Sequence, residues 1–267
     1  MPFAKIRDAD IYYEVAGSGP PLLFITGMGG IAAYWRPQVN EFQKDFTVIV
    51  FDQRGTGQST MSKVDYTVAM LAQDVIDLLD CLGLQRVHIC GHSTGGMIAQ
   101  ILALDAPERV ASMVLYGTRG RADAFTWKVM GMRRQLLLAG MAELYVRSTA
   151  LFLFPSPWIV EHADRLKQQE DVQIANFSHP DIMASRIEAV LHHHQIERLP
   201  AVKVPTLVTC AMDDFLTPTY YSQELHRLIP DSSLEFVTTG GHGCSLANPG
   251  AFHEVIRPFF NRMAESA

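Results

Sequence analysis

The stretch Gly-His-Ser-Thr-Gly at residues 91–95 decides the fold of this chain of 267 residues. It follows an apolar run with strand character, 86–90, and precedes a run with helical spacing, 96–104. A G-x-S-x-G motif between a strand and a helix is the pattern of a nucleophile elbow, in which small glycines permit a very tight turn. The pattern therefore predicts that Ser93 projects its hydroxyl from the turn, with the positive N-terminal end of a helix behind it.

Composition excludes several classes of protein. Hydrophobic residues make up 48% of the chain, which is typical of a packed domain. The formal net charge is −6 and no basic block is present, so we expect no nucleic-acid or membrane partner. No apolar run reaches the length of about 18 residues that a membrane span needs. We expect a cytoplasmic protein, a monomer or homodimer, that acts on a small molecule. The four cysteines lack metal-type or redox-type spacing, and no other metal-ligand set is visible, so no metal is expected.

Buried strand patterns alternate with helical patterns along most of the chain. A hairpin is predicted over residues 4–17, turning at 8–10. Apolar strands are predicted at 22–25, 47–51, 86–90, 112–116, 206–210 and 234–237. Helices are predicted at 68–82, 96–104, 220–228 and 249–262. This alternation predicts an α/β protein with a mostly parallel central sheet and helices on both faces.

Only helical patterns occur between residues 119 and 198. They cover 127–141, 143–154, 158–170 and 181–198, and two prolines interrupt the block at 155 and 157. We therefore predict a core built from residues 1–118 and 199–267, with residues 119–198 inserted as a helical lid.

Candidate catalytic side chains follow three of the predicted strands, and the carboxyl ends of parallel strands meet at one edge of a sheet. A serine hydroxyl needs a base that takes its proton, and histidine suits this role because its pKa lies near neutrality. His242 lies in a glycine-flanked loop. A carboxylate should orient the imidazole, and either Asp213 or Asp214 can supply it. The order serine, acid, histidine is the one expected for this topology.

An oxyanion site requires backbone donors near the serine. The N–H of Thr94 at the start of the helix is one, and the glycine-rich loop 26–30 offers the other, which we predict to be the N–H of Met28. Gly27, Trp35 and Trp158 are predicted to line the substrate pocket. Two bulky rings would make it narrow, so we expect small acyl groups.

Other chemistry-bearing residues are interpreted as structural. Three consecutive histidines at 192–194 predict a solvated helix face, because adjacent helical residues point about 100° apart and cannot share one metal ion easily. Asp52 and Arg54 are interpreted as an ion pair that holds a turn. Cys244 has no neighbour in sequence that would lower the pKa of its thiol. Basic residues of the lid are interpreted as solvated charge, with a substrate carboxylate as the alternative. They are Arg119, Arg121, Arg133 and Arg134.

In combination these motifs resemble the α/β-hydrolase superfamily over the whole chain, and within it the aminoacrylate (carbamate) hydrolases of bacterial pyrimidine utilisation. The matching stretches are 27–30, 34–35 with 37–38, 52–57, 151–155 with Trp158, 224–226, 230–232 and 240–242. The run Leu-Phe-Leu-Phe-Pro at 151–155 is the most specific because it lies in the predicted lid.

The resemblance implies a cofactor-independent serine hydrolase. Asp214 lies four residues before Pro218, which is similar to the family's G-x-x-D-x-x-x-P turn. That match makes Asp214 the orienting acid and Asp213 a solvated or turn-capping neighbour. Members of the carbamate hydrolase group do not all have serine at the apex of the elbow, whereas this chain has Ser93. An esterase, an enol-lactonase or an amide hydrolase with a different substrate therefore stays open as an alternative. A proline-iminopeptidase-like hydrolase, which the stretch 52–57 also resembles, and a non-catalytic ligand-binding relative stay open as well.

Overall fold

Eight strands form one sheet in the part of the chain that the computed structural model describes, residues 2–177 and 179–265. In chain order they are β1 (Phe3–Ile6), β2 (Ala9–Ala16), β3 (Pro21–Ile25), β4 (Thr47–Phe51), β5 (Val87–His92), β6 (Val110–Tyr116), β7 (Thr206–Ala211) and β8 (Ser232–Val237). Their order in the sheet is β1-β2-β4-β3-β5-β6-β7-β8.

Among the strands of the described residues, those from β4 to β8 in the sheet order are parallel, and β1 and β2 run antiparallel to their neighbours. This confirms the predicted α/β class and the mostly parallel sheet. The loops after β3, β5, β6, β7 and β8 consequently emerge at one edge, where the predicted site residues lie.

Twelve α-helices accompany the strands in the described residues. They are α1 (Arg36–Phe42), α2 (Val68–Cys81), α3 (Thr94–Asp105), α4 (Ala124–Leu138), α5 (Ala142–Arg147), α6 (Thr149–Leu153), α7 (Ser156–Glu161), α8 (Ala163–Asn176), α9 (Pro180–Leu191), α10 (Thr219–Leu228), α11 (Cys244–Ala247) and α12 (Pro249–Glu265). None of these helices combines the length and the apolar character that crossing a bilayer requires.

Both faces of the sheet are covered at its centre, which explains why β3, β4, β5, β6 and β7 are buried along almost their whole length, whereas β1 at the edge alternates between exposed and buried residues. Successive side chains of a strand point to opposite faces. In β3, Leu23 packs in the hydrophobic cluster that contains side chains of α2 and α3, whereas Leu22 and Phe24 pack in the cluster formed with α1 and α12. Alternate residues of β3 therefore pack into two different hydrophobic clusters, one on each face of the sheet.

All helices from α4 to α9 lie between β6 and β7, and we call this segment the insertion. Helix α4 packs against α9, and α5 packs against α8. The predicted single helix 143–154 is divided into α5 and α6 at Ser148. The helix predicted to reach residue 198 ends at Leu191. The lid boundaries at 119 and 198 stay a prediction.

The structure differs from the sequence prediction at two places near the N-terminus. The first hairpin turns at Arg7 and Asp8, because Ala9 and Asp10 already pair within β2. Helix α1 was not predicted, although Pro37 marks its first turn. At 7 residues it is too short for a clear apolar period.

Candidate active site

Ser93 occupies the apex of the turn between β5 and α3, in a backbone conformation that non-glycine residues rarely adopt. Its φ is 54° and its ψ is −116°. The turn is held on both sides of the serine. The Ser93 N–H donates to the Tyr116 carbonyl at 2.9 Å, and the Thr118 hydroxyl donates to the Ser93 carbonyl at 2.7 Å. Residues at and just after the end of β6 therefore hold Ser93 in this strained conformation.

The two glycines of the elbow leave no space for a side chain. A Cβ atom at Gly91 would lie 2.5 Å from the carbonyl oxygen of Gly95. A Cβ atom at Gly95 would lie 2.1 Å from the carbonyl oxygen of Ile25, at the end of β3. Both contacts are far inside van der Waals distance, so this tight turn requires glycine at both positions.

Asp214 and His242 meet beside the elbow. Oδ2 of Asp214 lies 2.9 Å from Nδ1 of His242, and both side chains are buried. Thr217 completes the group, because its hydroxyl donates to Asp214 Oδ2 at 2.7 Å and lies 3.0 Å from His242 Nδ1. A Cβ atom at Gly117 would be only 3.4 Å from both side chains. Glycine at the end of β6 therefore makes room for the pair.

Two side chains hold the backbone of His242, and neither role was predicted from the sequence. The Tyr116 hydroxyl donates to the His242 carbonyl at 2.6 Å. Nε2 of His92 lies 3.0 Å from the same oxygen. A carbonyl oxygen only accepts, so Nε2 of His92 carries the proton. Burial lowers the pKa of His92 well below its usual value, which keeps this ring neutral.

Asp213 holds the loop that carries His242 from the other side. Its carboxylate accepts from the Thr239 hydroxyl at 2.6 Å and from the Gly241 N–H at 2.9 Å. The neighbouring aspartates thus have different partners: Asp214 contacts the imidazole, and Asp213 contacts the backbone before it.

The loop 26–30 lies against Ser93. A Cβ atom at Gly27 would lie 3.0 Å from Cβ of Ser93. The N–H of Met28 makes no hydrogen bond among the described residues. Thr94 is the first residue of α3, so its N–H has no carbonyl partner within the helix. Both predicted oxyanion donors are therefore uncommitted.

Comparison with known proteins identifies the family of this chain. The family model of the α/β-hydrolase fold matches residues 20–164. The chain belongs to the α/β-hydrolase family. A protein of Azorhizobium caulinodans, named as a proposed carbamate hydrolase (RutD), is 40% identical over 97% of this chain and 98% of its own. A protein of Variovorax paradoxus with the same name is 37% identical over 95% of this chain and 97% of its own.

A solved structure shows how far the shape of this α/β-hydrolase is shared. The enol-lactonase from Burkholderia xenovorans LB400 superimposes with a TM-score of 0.90, covering 97% of this chain and 100% of the lactonase. At 24% identity, that likeness concerns the fold alone. The family match and the named relatives together show that the chain is a hydrolase.

The two predicted aromatic pocket walls lie in different surroundings in the hydrolase. Trp35 has no exposed surface, and its ring packs against Phe24 and Tyr34 at centroid distances of 4.9 and 5.0 Å. It therefore belongs to the core and has no surface to offer a substrate in this structure. Trp158 is half-buried on α7 and stacks on Phe154 at 4.1 Å.

The four arginines do not behave alike. Arg121 and Arg134 are ion-paired, with Glu224 and Glu188 respectively. Arg119 and Arg133 are buried, so the interpretation as solvated charge was wrong for these two. Burial lowers the pKa of Arg119 to about 10. Contact with a substrate carboxylate stays an untested alternative for Arg119 and Arg133, whereas the charges of Arg121 and Arg134 are already paired within the protein.

Asp52 and Arg54 do not pair with each other, contrary to the sequence interpretation. Asp52 accepts from the backbone N–H groups of Ala32 and Gln58, each at 2.7 Å. Arg54 makes a two-pronged ion pair with Asp74 of α2, with both contacts at 2.9 Å. Spacing in the sequence cannot reveal this partner, because it lies 20 residues away on another element.

The remaining candidates are structural. His193 is buried beyond the end of α9, and its Nε2 lies 3.2 Å from Gln100 Oε1, so this position is not a solvated helix face. Burial raises the pKa of the Cys244 thiol to about 12. Residues 2–177 and 179–265 contain no cluster of three or more side chains suited to a metal ion.

Proposed function

We propose that this hydrolase cleaves a small acyl substrate through an acyl-enzyme formed on Ser93. The observation that carries the proposal is the buried contact between Asp214 and His242, placed beside a strained nucleophile elbow. With Nδ1 of His242 directed at the carboxylate, Nε2 is the ring atom left to exchange a proton with the serine.

The reaction follows from the roles of these groups. The Ser93 hydroxyl attacks the substrate carbonyl while His242 takes its proton. Asp214 orients the imidazole and stabilises its charged form. The N–H groups of Met28 and Thr94 bind the negative oxygen that develops on the carbonyl. His242 then protonates the leaving group, and a water molecule, deprotonated by the same imidazole, releases the acyl group from Ser93.

The class of scissile bond is proposed from the relatives. Their name proposes carbamate hydrolysis, which favours a carbamate or another C–N bond, with small esters as the most accessible test compounds. Both half-reactions need only the groups named above, so no cofactor or metal enters the mechanism. Cytoplasmic location and a monomeric or dimeric state stay predictions from the sequence.

Labelling with a fluorophosphonate probe tests the proposal, because the probe reacts covalently with an activated serine. We expect stoichiometric labelling at Ser93 and none in Ser93→Ala. Turnover of a short p-nitrophenyl ester should fall by about 10⁴-fold or more in Ser93→Ala and in His242→Ala. Ser156→Ala, at an exposed position in α7, is the matched control and should behave as wild type.

Labelling that is absent from the wild-type protein, or unchanged in Ser93→Ala, would contradict the proposal. A protein that binds small acyl compounds without labelling would instead be a ligand-binding relative. A panel of esters, lactones, carbamates and enamides, compared by kcat/KM, then identifies the preferred bond.

A further inference from the structure

Arg186 joins the insertion to the loop that carries a predicted oxyanion donor. It lies on α9 and is 1% exposed. Its guanidinium donates to the Met28 carbonyl at 3.1 Å and to the Arg54 carbonyl at 2.7 Å. A third, short hydrogen bond goes to Oε1 of Gln53. One side chain from the insertion thus contacts the loop 26–30 and the loop after β4.

Gln53 extends the contact to the beginning of the same loop. Its amide donates to the Thr26 carbonyl at 2.6 Å. Its own backbone N–H donates to the Gly30 carbonyl at 2.8 Å. Arg186 and Gln53 together therefore hold carbonyl groups at the beginning, middle and end of the loop.

The peptide plane that contains the Met28 N–H lies between two of these held carbonyls. The Thr26 carbonyl belongs to the plane before it, and the Met28 carbonyl to the plane after it. The carbonyl of the plane itself, that of Gly27, accepts from the Gly30 N–H at 3.0 Å. The direction of the Met28 N–H is consequently fixed by three hydrogen bonds, one of them from Arg186.

Burying the Arg186 guanidinium at this position costs folding free energy, so stability alone does not explain an arginine here. None of its three acceptors is a carboxylate. Burial lowers its pKa to about 10, which shows that the site disfavours the cation. Its guanidinium lies over the Tyr66 ring at 5.3 Å, which compensates only in part. A buried charge without an ionic partner is generally costly, so its hydrogen bonds to the loop call for a functional account.

We propose that Arg186, on α9 of the insertion, is a positioning residue. It holds the loop 26–30 in the conformation in which the Met28 N–H can bind the oxyanion. The inference rests on the proposed function, because it assigns a role to the Met28 N–H in binding the oxyanion. Arg186 acts through the Met28 carbonyl and through Gln53, and it does not touch Asp214 or His242. Its loss should therefore weaken transition-state stabilisation and leave proton transfer unaltered.

Two substitutions at Arg186 test this, with Arg134→Met as the matched control. Arg134 lies on α4 and pairs with Glu188 of α9 at 2.5 Å, so the control removes an arginine contact to the same helix without touching the loop. Arg186→Met removes all three hydrogen bonds. Arg186→Lys retains a cation that can donate to one or two of the acceptors but loses the planar fork.

The readouts separate oxyanion binding from substrate binding. With p-nitrophenyl butyrate we expect Arg186→Met to lower kcat about 10- to 100-fold, because displaced oxyanion donors cost about this much or more. KM should change by less than about twofold, as for an interaction made only in the transition state. Inhibition by butylboronic acid, whose serine adduct places an oxygen in the oxyanion site, should weaken by the same factor as kcat. The midpoint of the pH profile of kcat should be the same in Arg186→Met as in the wild type. The kcat of Arg186→Lys should lie between those of the wild type and Arg186→Met.

The inference is overturned if Arg186→Met is folded, by circular dichroism and thermal melting, and retains wild-type kcat. It is also overturned if kcat falls while boronic acid affinity is unchanged, or if Arg134→Met has the same effect. Should Arg186→Met fail to fold, the same comparison on Arg186→Lys decides the matter. A wild-type protein that neither hydrolyses the ester nor reacts with fluorophosphonate contradicts the proposed function itself, which is a separate result.

Discussion

Asp214 and His242 are joined by a contact of 2.9 Å between Oδ2 and Nδ1, and neither side chain is more than 2% exposed. The preceding residue, Asp213, makes no contact of this kind, because its carboxylate binds the backbone N–H groups of Gly240 and Gly241. Two adjacent carboxylates therefore contribute differently: one touches the imidazole and the other holds the loop before it.

This difference predicts opposite outcomes for two conservative substitutions. Asp214→Asn should lower kcat by up to about 10⁴-fold with little change in thermal stability, because the amide no longer stabilises the imidazolium. Asp213→Asn should reduce the melting temperature and cost far less activity. Steady-state kinetics with a short ester and thermal melts of both variants check this. A larger loss of kcat in Asp213→Asn would transfer the orienting role to that residue.

The catalytic candidates could be predicted from the sequence because their signals are local. Ser93 lies within a five-residue motif, and His242 lies in a glycine-flanked loop after a strand. The supports of these residues could not be predicted in this way. Tyr116 reaches the His242 carbonyl across 126 positions of the chain, and Arg186 reaches Met28 across 158. Such pairs depend on strand order and on helix docking, which periodicity does not encode.

The position at which α9 ends explains why the prediction of a solvated helix face at residues 192–194 was wrong for His193. The apolar spacing of α9 continues toward residue 198, but the helix ends at Leu191. The chain then forms an isolated bridge between Arg121 and His194, and this turns His193 inward toward Gln100. An apolar period predicts where a helix can exist, whereas its end here depends on packing against the loop after β6.

The ion pair between Arg54 and Asp74 should contribute strongly to stability. Both side chains are almost fully buried, at 2% and 4% exposure, so removing the carboxylate leaves the buried Arg54 cation with only Asp8, which is largely exposed, as an ionic partner among the described residues. We expect Asp74→Asn to lower the free energy of unfolding by about 3–5 kcal/mol. Asp80→Asn is the control on the same helix, because Asp80 pairs with Arg109 at the surface and should cost less than about 1 kcal/mol. Urea unfolding measures both, and equal losses would refute the assignment.

Buried neutral histidines should make the protein sensitive to acid. Burial, assisted by the charge of Arg119, lowers the pKa of His193 from 6.5 to about 3 in the folded protein. Between these two values the unfolded chain binds a proton that the folded protein does not. Stability therefore falls as the pH falls, by about 1.4 kcal/mol per pH unit for each such group.

His193→Gln removes this contribution while retaining a polar side chain opposite Gln100. Between pH 6 and pH 4, the free energy of unfolding should change less steeply with pH in the variant. The difference in slope should be about 1.4 kcal/mol per pH unit, which corresponds to one proton. Burial also lowers the pKa values of His88, His92 and His253, so some acid sensitivity should persist. Identical slopes for the two proteins would show that His193 is protonated in the folded state.

Aromatic rings next to the loop that carries His242 predict a preference for short acyl groups. A Cβ atom at Gly243 would lie 2.6 Å from the ring of Phe154, and Trp158 stacks on the same ring. We expect kcat/KM for p-nitrophenyl esters to fall steeply beyond butyrate in a series from acetate to palmitate. A maximum at long chains would mean that these rings open onto a lipid-binding channel.

The positive φ of Ser93 implies a conflict between durability and activity at a single position. Holding a side chain in this conformation costs about 1–3 kcal/mol, which the rest of the fold must offset. Glycine at this position would relieve the strain but has no hydroxyl, so the residue that is best for thermal stability here is not the residue that the proposed mechanism requires. Selection for thermal stability alone would therefore tend to remove this serine, and its presence sets an upper limit on how far the turn can be stabilised.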